Sequence, residues 1–183
     1  MPHSAPLTRL VAQQAKTKNI IDMALTFSAT LRVFSSQSKA RISARLEGLF
    51  AKLGHGAEPR DYESMHAEFC EWFTATIRTA EKEGKHPKRS GPSSYGHGAK
   101  ILDVSAKVYV YYCSLPSPEV AAEVTPMLHC PADTAVMKHL AALPMAQIAS
   151  KTIAEIDRDE YRKLQALVLH DIRENHADIL PVE

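Results

Sequence analysis

The sequence contains only three cysteines and almost no excess of charge of either sign. Cys70, Cys113 and Cys130 are too few and too scattered for a disulfide framework, and their odd number fits reduced thiols. The closely spaced set of four cysteines that holds an iron–sulfur cluster is also missing. A formal net charge of +1 gives no overall attraction to nucleic acid, so any such attraction must come from a local cluster of charges.

Long hydrophobic runs are absent as well. No apolar stretch approaches the roughly 18 residues that span a bilayer, and residues 1–6 lack the basic and apolar segments of a secretory signal. We therefore expect a cytoplasmic protein with no membrane partner. The sequence also has no Walker loop, no Gly-x-Gly-x-x-Gly, no nucleophile elbow and no His-Glu-x-x-His.

Apolar residues make up 45% of the 183 residues and charged residues 23%, as in ordinary globular proteins. Apolar side chains recur at steps of three and four, and no stretch shows the alternation of a hairpin. The sequence therefore predicts a single all-α, multi-helix domain over residues 1–183. For 100–113, β-branched and aromatic residues leave a strand as the alternative. The predicted helices cover residues 7–34 (one or two helices), 39–53, 61–83, 100–113, 119–124, 133–143, 145–156 and 157–175.

Glycine, proline and basic residues are concentrated between positions 84 and 98, without an acidic residue among them. This composition predicts a loop. The next helix is expected to open at Gly96-His97-Gly98, just before Lys100. Free backbone amides, flexible cations and the positive end of a helix dipole would then lie together, which favours a phosphate ligand. The alternative is a solvated connection between two helices.

Lys100, Asp103 and Lys107 are spaced by three and four residues and therefore share one helical face. The Asp103 carboxylate could pair with both ammonium groups, as on many solvated helix surfaces. In a partly dehydrated cleft, the pKa of Lys100 would instead fall and its amine would become a nucleophile.

Asp133 follows Pro131 and precedes Thr134, which is typical of a helix start. Capping alone is a sufficient explanation for either polar side chain. A carboxylate held by backbone amides also stays ionised, however, and can stabilise a positive charge that develops on a sugar ring.

Together, Gly-x-Gly-x-Lys at 96–100 and Pro-x-Asp-Thr-x-Val-x-basic at 131–138 resemble the two core motifs of helix-hairpin-helix DNA glycosylases. The separation of 33 residues from Lys100 to Asp133 is similar to the spacing in archaeal 8-oxoguanine glycosylases. The likeness covers about residues 94–140. The family hairpin usually reads Leu-Pro-Gly-apolar-Gly, whereas residues 94–98 lack that Pro-Gly and have His97 at the apolar position. The sequence also departs from the pattern at Ala135, where a histidine often follows Asp-Thr.

The resemblance implies a DNA-repair hydrolase and lyase that flips a damaged or modified base out of the duplex. Lys100 would form a Schiff base with the sugar C1′, and Asp133 would stabilise the transition state. DNA would be held by phosphate contacts through residues 84–100, and no cofactor or metal is expected. The predicted nucleic-acid-binding residues are Lys85, Lys88, Arg89, Gly96, His97, Gly98, Lys107 and Lys138. Four aromatic residues are candidates to stack on the base, with core packing as the alternative: Trp72, Tyr95, Tyr109 and Tyr112.

Two further hypotheses compete with this one. The chain is alternatively a non-catalytic helical nucleic-acid-binding or protein-interaction module from a mobile element or defence locus. Separately, His66 and Cys70 are four residues apart, a spacing that can chelate a metal, and His129 and Cys130 would complete four ligands. A core thiol beside a hydrogen-bonded histidine is the preferred interpretation of this set, because cysteine is among the most buried residue types.

Overall fold

The computed structural model describes residues 5–27, 29–54, 61–80, 91–144, 148, 152–176 and 179–183. In these residues, no strand accompanies the helices beyond isolated bridges from Phe34 to Thr79 and from Arg78 to Pro92. The predicted all-α class is confirmed. The helices are α1 (Ala5–Phe27), α2 (Ser36–Gly54), α3 (Tyr62–Thr76), α4 (Tyr95–Ala106), α5 (Pro118–Val124), α6 (Thr134–Ala141) and α7 (Arg158–Asn175), with 3₁₀ turns at Ala29–Val33 and Thr125–Met127 and a π-helix at Lys107–Tyr112.

Three helix starts are set by local capping chemistry. Ser94 and His97 form a capping box at α4, in which each side chain bonds to the other residue's backbone N–H. Asp133 caps α6 by accepting hydrogen bonds of 2.8 and 2.9 Å from two backbone amides. Asp157 caps α7 by accepting one such hydrogen bond, of 2.8 Å, from the backbone N–H of Glu160. Each cap satisfies amides that have no partner within the helix.

α4 is the central helix and packs against α1, α3 and α7. Two glycines allow the closest of these contacts. A Cβ atom on Gly96 would lie 2.5 Å from the backbone oxygen of Ile153, and one on Gly98 would lie 2.9 Å from the Cβ of Phe73. Both distances are too short for real carbon atoms, so these positions must lack a side chain for α3 and the segment before α7 to approach α4.

Three predicted element boundaries were wrong. The helix predicted over 61–83 ends at Thr76, because the chain from Ile77 is extended and exchanges backbone hydrogen bonds with residues 91 and 93. The loop predicted over 84–98 ends earlier, since 95–98 form the first turn of α4, while 84–90 lie outside the described residues. The helix predicted over 145–156 is a turn in its described part at 152–156. There, the carbonyls of Ile153 and Ile156 accept hydrogen bonds from the start of α4.

The helix predicted over 100–113 is confirmed, although it begins at Tyr95 and its last six residues are π-helical. Short π-helical segments are uncommon and frequently occur near functional sites. Within the described residues, no helix has both the length and the apolar character needed to cross a bilayer.

Candidate functional site

Five ionisable side chains from four parts of the fold meet beneath α4, and we call them the central cluster. Glu63 and His66 lie on α3, Asp103 on α4, His129 in the segment before α6, and Tyr161 on α7. His66, Asp103 and Tyr161 are buried. The side chains of His129 and Glu63 are 15% and 65% exposed. The cluster therefore runs from the protein surface into the core.

A continuous chain of hydrogen bonds connects the members of the central cluster. His66 Nε2 lies 2.9 Å from Asp103 Oδ1, and the Tyr161 hydroxyl donates to Asp103 Oδ2 at 2.8 Å. The Tyr161 oxygen also lies 2.9 Å from His129 Nδ1 and 3.2 Å from His66 Nε2. His129 Nε2 lies 2.9 Å from Glu63 Oε2. The Tyr161 hydroxyl is thus the point on which three of the other four side chains converge.

The positions of the donors and acceptors define where the protons lie. Ionised Asp103 and Glu63 can only accept hydrogen bonds. If Tyr161 donates to Asp103, its oxygen must accept from His129 Nδ1, while His129 Nε2 must donate to Glu63. All of these bonds form together only when His129 carries a proton on both ring nitrogens.

The pKa shifts agree with this pattern. Burial, the largest effect on His129, opposes its charge, but the hydrogen bond that His129 donates to Glu63 and the charges of Asp103 and Glu63 outweigh it and raise the His129 pKa. The same hydrogen bond lowers the pKa of Glu63. Burial and the charge of Asp103 raise the pKa of Tyr161 well above its usual value, so the phenol keeps its proton at neutral pH.

Two further polar groups border the central cluster. Cys70 Sγ lies 3.7 Å from His66 Nδ1, on the side of the ring away from Asp103. The Tyr62 ring lies 6.2 Å from the His66 ring and 6.1 Å from the His129 ring, between centroids. Its hydroxyl is buried without a hydrogen-bond partner among the described atoms, which is uncommon in native proteins.

Asp103 has different partners from those the helical spacing predicted. It was expected to pair with Lys100 and Lys107, but its carboxylate is buried and bonds to His66 and Tyr161. The Lys100 side chain is half-buried and makes no hydrogen bond or ion pair with a described residue. Lys107 Nζ donates to the backbone oxygen of Glu183 at 3.2 Å. The predicted salt-bridge stripe is therefore wrong, because the middle residue faces the core.

The residues predicted to bind phosphate have diverse positions. Gly96, His97 and Gly98 are buried, and the close approach that the two glycines permit is to other parts of the protein. The His97 ring completes the α4 capping box, and burial lowers its pKa. Lys138 is exposed on α6. Lys85, Lys88 and Arg89 lie outside the described residues, so nucleic-acid binding through this segment stays a prediction.

The other sequence candidates are mainly structural in their surroundings. Asp133 caps α6 and makes no contact with Lys100 among the described residues. Tyr95 and Tyr109 are buried, and Tyr109 stacks on Phe50 with ring centroids 4.4 Å apart. Trp72 is half-buried beneath the Arg45 guanidinium. Tyr112 is exposed and lies beside Lys107.

The proposed set of four metal ligands is partly assembled. His66 contacts Cys70, and its ring centroid lies 4.4 Å from that of His129. Asp103, however, completes the one group of three potential ligands found in the described part of the chain; the ligand atoms of His66, Asp103 and His129 all lie within 4.8 Å of one another. The backbone N–H of Cys130 donates to Gln165, and burial raises the pKa of the Cys130 thiol to about 11.

Sequence reasoning missed Tyr161 and Glu63 as functional candidates. It had one signal for Asp103 that was not used, namely its place on the apolar face of α4 between Ala99 and Ala106. A carboxylate on such a face must find a buried partner. No comparable signal marks Tyr161, which occurs in the sequence as one of the regularly spaced apolar anchors of a charged helix.

Comparison with protein-family models, with curated proteins and with solved structures found no match for this chain.

Proposed function

We propose that this protein is an enzyme and that the central cluster is its reaction centre, with Tyr161 as a proton donor. The observation that carries the proposal is the unbroken hydrogen-bonded chain from Glu63 at the surface, through His129 and Tyr161, to Asp103 in the core. Such a chain provides a path along which a proton can reach or leave a buried position.

Stability alone gives no reason for this arrangement. Removing a charged group from water costs several kcal/mol, and well-packed apolar residues of similar volume are often equally or more stabilising. Buried ionisable groups with specific charged partners are, in contrast, common at active sites, where they hold protons at defined atoms. The central cluster contains buried ionisable groups with specific charged partners, and it borders a buried hydroxyl that has no partner among the described atoms.

The chemistry expected of the central cluster follows from its geometry. Asp103 orients the Tyr161 hydroxyl, whose proton can pass to an oxygen or nitrogen atom that leaves a substrate. Of the three cluster members that contact this hydroxyl, His129 is the one with an exposed edge, so the reacting group is expected to approach from its side. His129 and Glu63 can then return a proton from solvent to Tyr161.

The experiment is a substrate screen with a matched pair of variants. Wild-type protein, Tyr161→Phe and His139→Gln are incubated with a phosphate monoester, a phosphate diester, a carboxylic ester and DNA and RNA oligonucleotides. We expect Tyr161→Phe to lower the rate on a turned-over substrate by about 10²–10⁴, the usual contribution of a general acid. His139→Gln changes a surface histidine–aspartate pair and should retain the wild-type rate.

Equal rates for wild type and Tyr161→Phe would remove Tyr161 from the mechanism. No turnover of any of these substrates by the folded wild-type protein would overturn the proposal and leave the central cluster as a structural network.

A second proposal concerns Lys100 and Asp133, which would act as the nucleophile and the assisting carboxylate of a DNA base-excision glycosylase and lyase. It is supported by a half-buried Lys100 that lacks an acidic partner among the described residues, and by the two amides that hold the Asp133 carboxylate. An amine without a salt bridge is available for attack on a sugar carbon.

This second proposal is tested by borohydride trapping on duplexes that contain abasic sites, 8-oxoguanine, uracil or alkylated bases. An adduct that is lost in Lys100→Gln and retained in Lys163→Gln, a change at an exposed lysine of α7, would support Schiff-base chemistry at Lys100. Absence of an adduct and of base release on every duplex would contradict it.

A further inference from the structure

We propose that His66, Asp103 and His129 bind a divalent transition-metal ion of the zinc class. This inference shares its residues with the proposed reaction centre, but it rests on the proposed function only for its catalytic consequence, because metal binding is measured without a substrate. The three side chains each offer one ligand atom, and these atoms all lie within 4.8 Å of one another.

The ligand set suits such an ion. Two imidazole nitrogens and a carboxylate oxygen are common protein ligands of zinc and iron(II), and they leave further coordination positions open. Ligand atoms about 2.1 Å from a tetrahedral metal lie about 3.4 Å apart. His66 Nε2 and Asp103 Oδ1 are already 2.9 Å apart, so rotations that move ligand atoms by about an ångström would complete the geometry.

The hydrogen-bond partners identify which nitrogen of each histidine would bind the metal. A metal-bound histidine usually donates its other ring N–H to a carboxylate or another acceptor. His129 has Glu63 beside Nε2, which leaves Nδ1 for the ion. His66 has Cys70 beside Nδ1, which leaves Nε2. Both of the remaining nitrogens and the Asp103 carboxylate lie within 3.2 Å of the Tyr161 hydroxyl. The three ligands therefore surround one centre, and the Tyr161 hydroxyl would have to move aside or become a further ligand when the ion binds.

A bound metal ion would change which ring nitrogens of His129 carry a proton. With Nδ1 bound to the ion, neutral His129 still donates from Nε2 to Glu63, and the second ring proton is no longer needed. Because histidine ligands must be unprotonated at the coordinating nitrogen, binding should release a proton. Proton release is therefore a second readout besides metal content.

Tyr62 adds an independent observation that points to a ligand. Its hydroxyl is buried and has no hydrogen-bond partner among the described atoms, and its ring contacts both histidine rings. A buried hydroxyl without a partner is costly, so a ligand or water beyond the described atoms would stabilise it. A zinc-class ion also lowers the pKa of a bound water. Because His129 Nδ1 would then hold the ion, this water would replace His129 as the group that exchanges a proton with Tyr161.

The test is titration of the chelator-treated full-length protein with zinc chloride, followed by calorimetry, and with cobalt chloride, followed by visible absorption. We expect one equivalent to bind, with proton release that varies with the ionisation heat of the buffer. His129→Gln should weaken binding more than tenfold. Glu63→Gln should weaken it by about 10–100-fold, because Glu63 acts through His129. His139→Gln should bind as tightly as wild type.

His129 lies near the surface, so His129→Gln is expected to fold, and circular dichroism checks this. Absence of saturable binding by wild-type protein, or equal affinity in wild type and folded His129→Gln, would overturn the metal site. The two proposals fail separately. Metal binding without turnover of any substrate would reject the proposed function alone. If the protein shows no saturable metal binding and its turnover survives chelator treatment, the metal site alone is rejected.

Discussion

Two histidine–aspartate pairs in this chain have similar bond lengths and different surroundings, because both partners of one pair are buried and only the aspartate of the other is. His66 and Asp103 are 2.9 Å apart, with side chains 1% and 0% exposed. His139 and Asp171 are 2.7 Å apart, with side chains 60% and 11% exposed. Exposed pairs contribute little because water and salt screen them. In a buried pair, loss of one partner leaves the other without the solvent that would replace it.

The partners of the two pairs differ as well. Asp171 accepts a second hydrogen bond from Asn175 on its own helix, which is a local contact. Asp103 accepts its second bond from Tyr161 on another helix, and Tyr161 leads on to His129. Burial and connectivity, rather than the His–Asp bond itself, thus make one pair a candidate reaction centre and the other a local contact near the surface.

Removal of each aspartate should give the largest difference in stability between the two pairs. Asp103→Ala leaves His66 and Tyr161 without their acceptor in the core, and we expect a loss of about 3–5 kcal/mol of unfolding free energy. Asp171→Ala should cost less, about 1–2 kcal/mol, because exposed His139 regains water while the hydrogen bond from Asn175 is lost. Urea unfolding of both variants measures the difference, and equal losses would contradict the distinction drawn from burial.

The hydroxyls of the two tyrosines beside the buried pair should contribute differently to stability. Tyr161→Phe removes a hydrogen bond to a carboxylate and should cost about 1.5–3 kcal/mol. Tyr62→Phe removes a hydroxyl with no partner among the described atoms, so it should be neutral or stabilising. Thermal unfolding in the presence of a chelator compares them, and a Tyr62→Phe loss as large as that of Tyr161→Phe would show that its hydroxyl has a partner.

Glycine substitutions test whether the buried pair depends on the close approach around α4. Gly96→Ala places a Cβ atom 2.5 Å from the Ile153 backbone oxygen, and we expect it to cost about 1–3 kcal/mol through overpacking. Gly48→Ala on α2 meets no atom within 4 Å and should stabilise by up to about 1 kcal/mol through helix propensity. Chemical denaturation is the measurement, and the same sign for both variants would contradict this account.

The smallest expected effect is the pH dependence of the surface pair. The hydrogen bond from His139, followed by that from Asn175, lowers the pKa of Asp171 below its ordinary value of 3.8. A lowered carboxyl pKa stabilises the folded state above the unfolded value, and this contribution is lost as the pH falls through the folded value. The stability difference between wild type and Asp171→Asn should therefore shrink as the pH falls through the pKa of folded Asp171; a difference that grows there would contradict the assignment.

Helix starts were predicted well where a cap and its targets are neighbours in sequence. Asp133 and Asp157 begin helices because their carboxylates reach amides two or three residues ahead. The end of α3 was predicted too late, since the extended conformation of Ile77 and Thr79 depends on backbone partners at 91 and 93. The π-helical segment that follows α4 was not predicted, because its residues are equally compatible with an α-helix.

The candidate site was predicted only in part. His66, Cys70 and His129 were singled out by their spacing and their ligand chemistry, and the structure brings them together. Asp103 was assigned to the lysines three and four residues away, since helical spacing can show only neighbours on the same helix. Tyr161 and Glu63 had no local signal that distinguished them from other helical residues.

Residues within a few positions of one another specify the helical class, the main helix starts and the two glycines of α4, so these features could be read from the chain alone. Only the tertiary structure decided that Asp103 faces the core and that its partners are His66 and Tyr161, which are 37 and 58 residues away in the chain. Contacts over such separations form when whole helices pack. For this reason, the chemistry at the centre of this protein became visible only once α3, α4 and α7 were placed together.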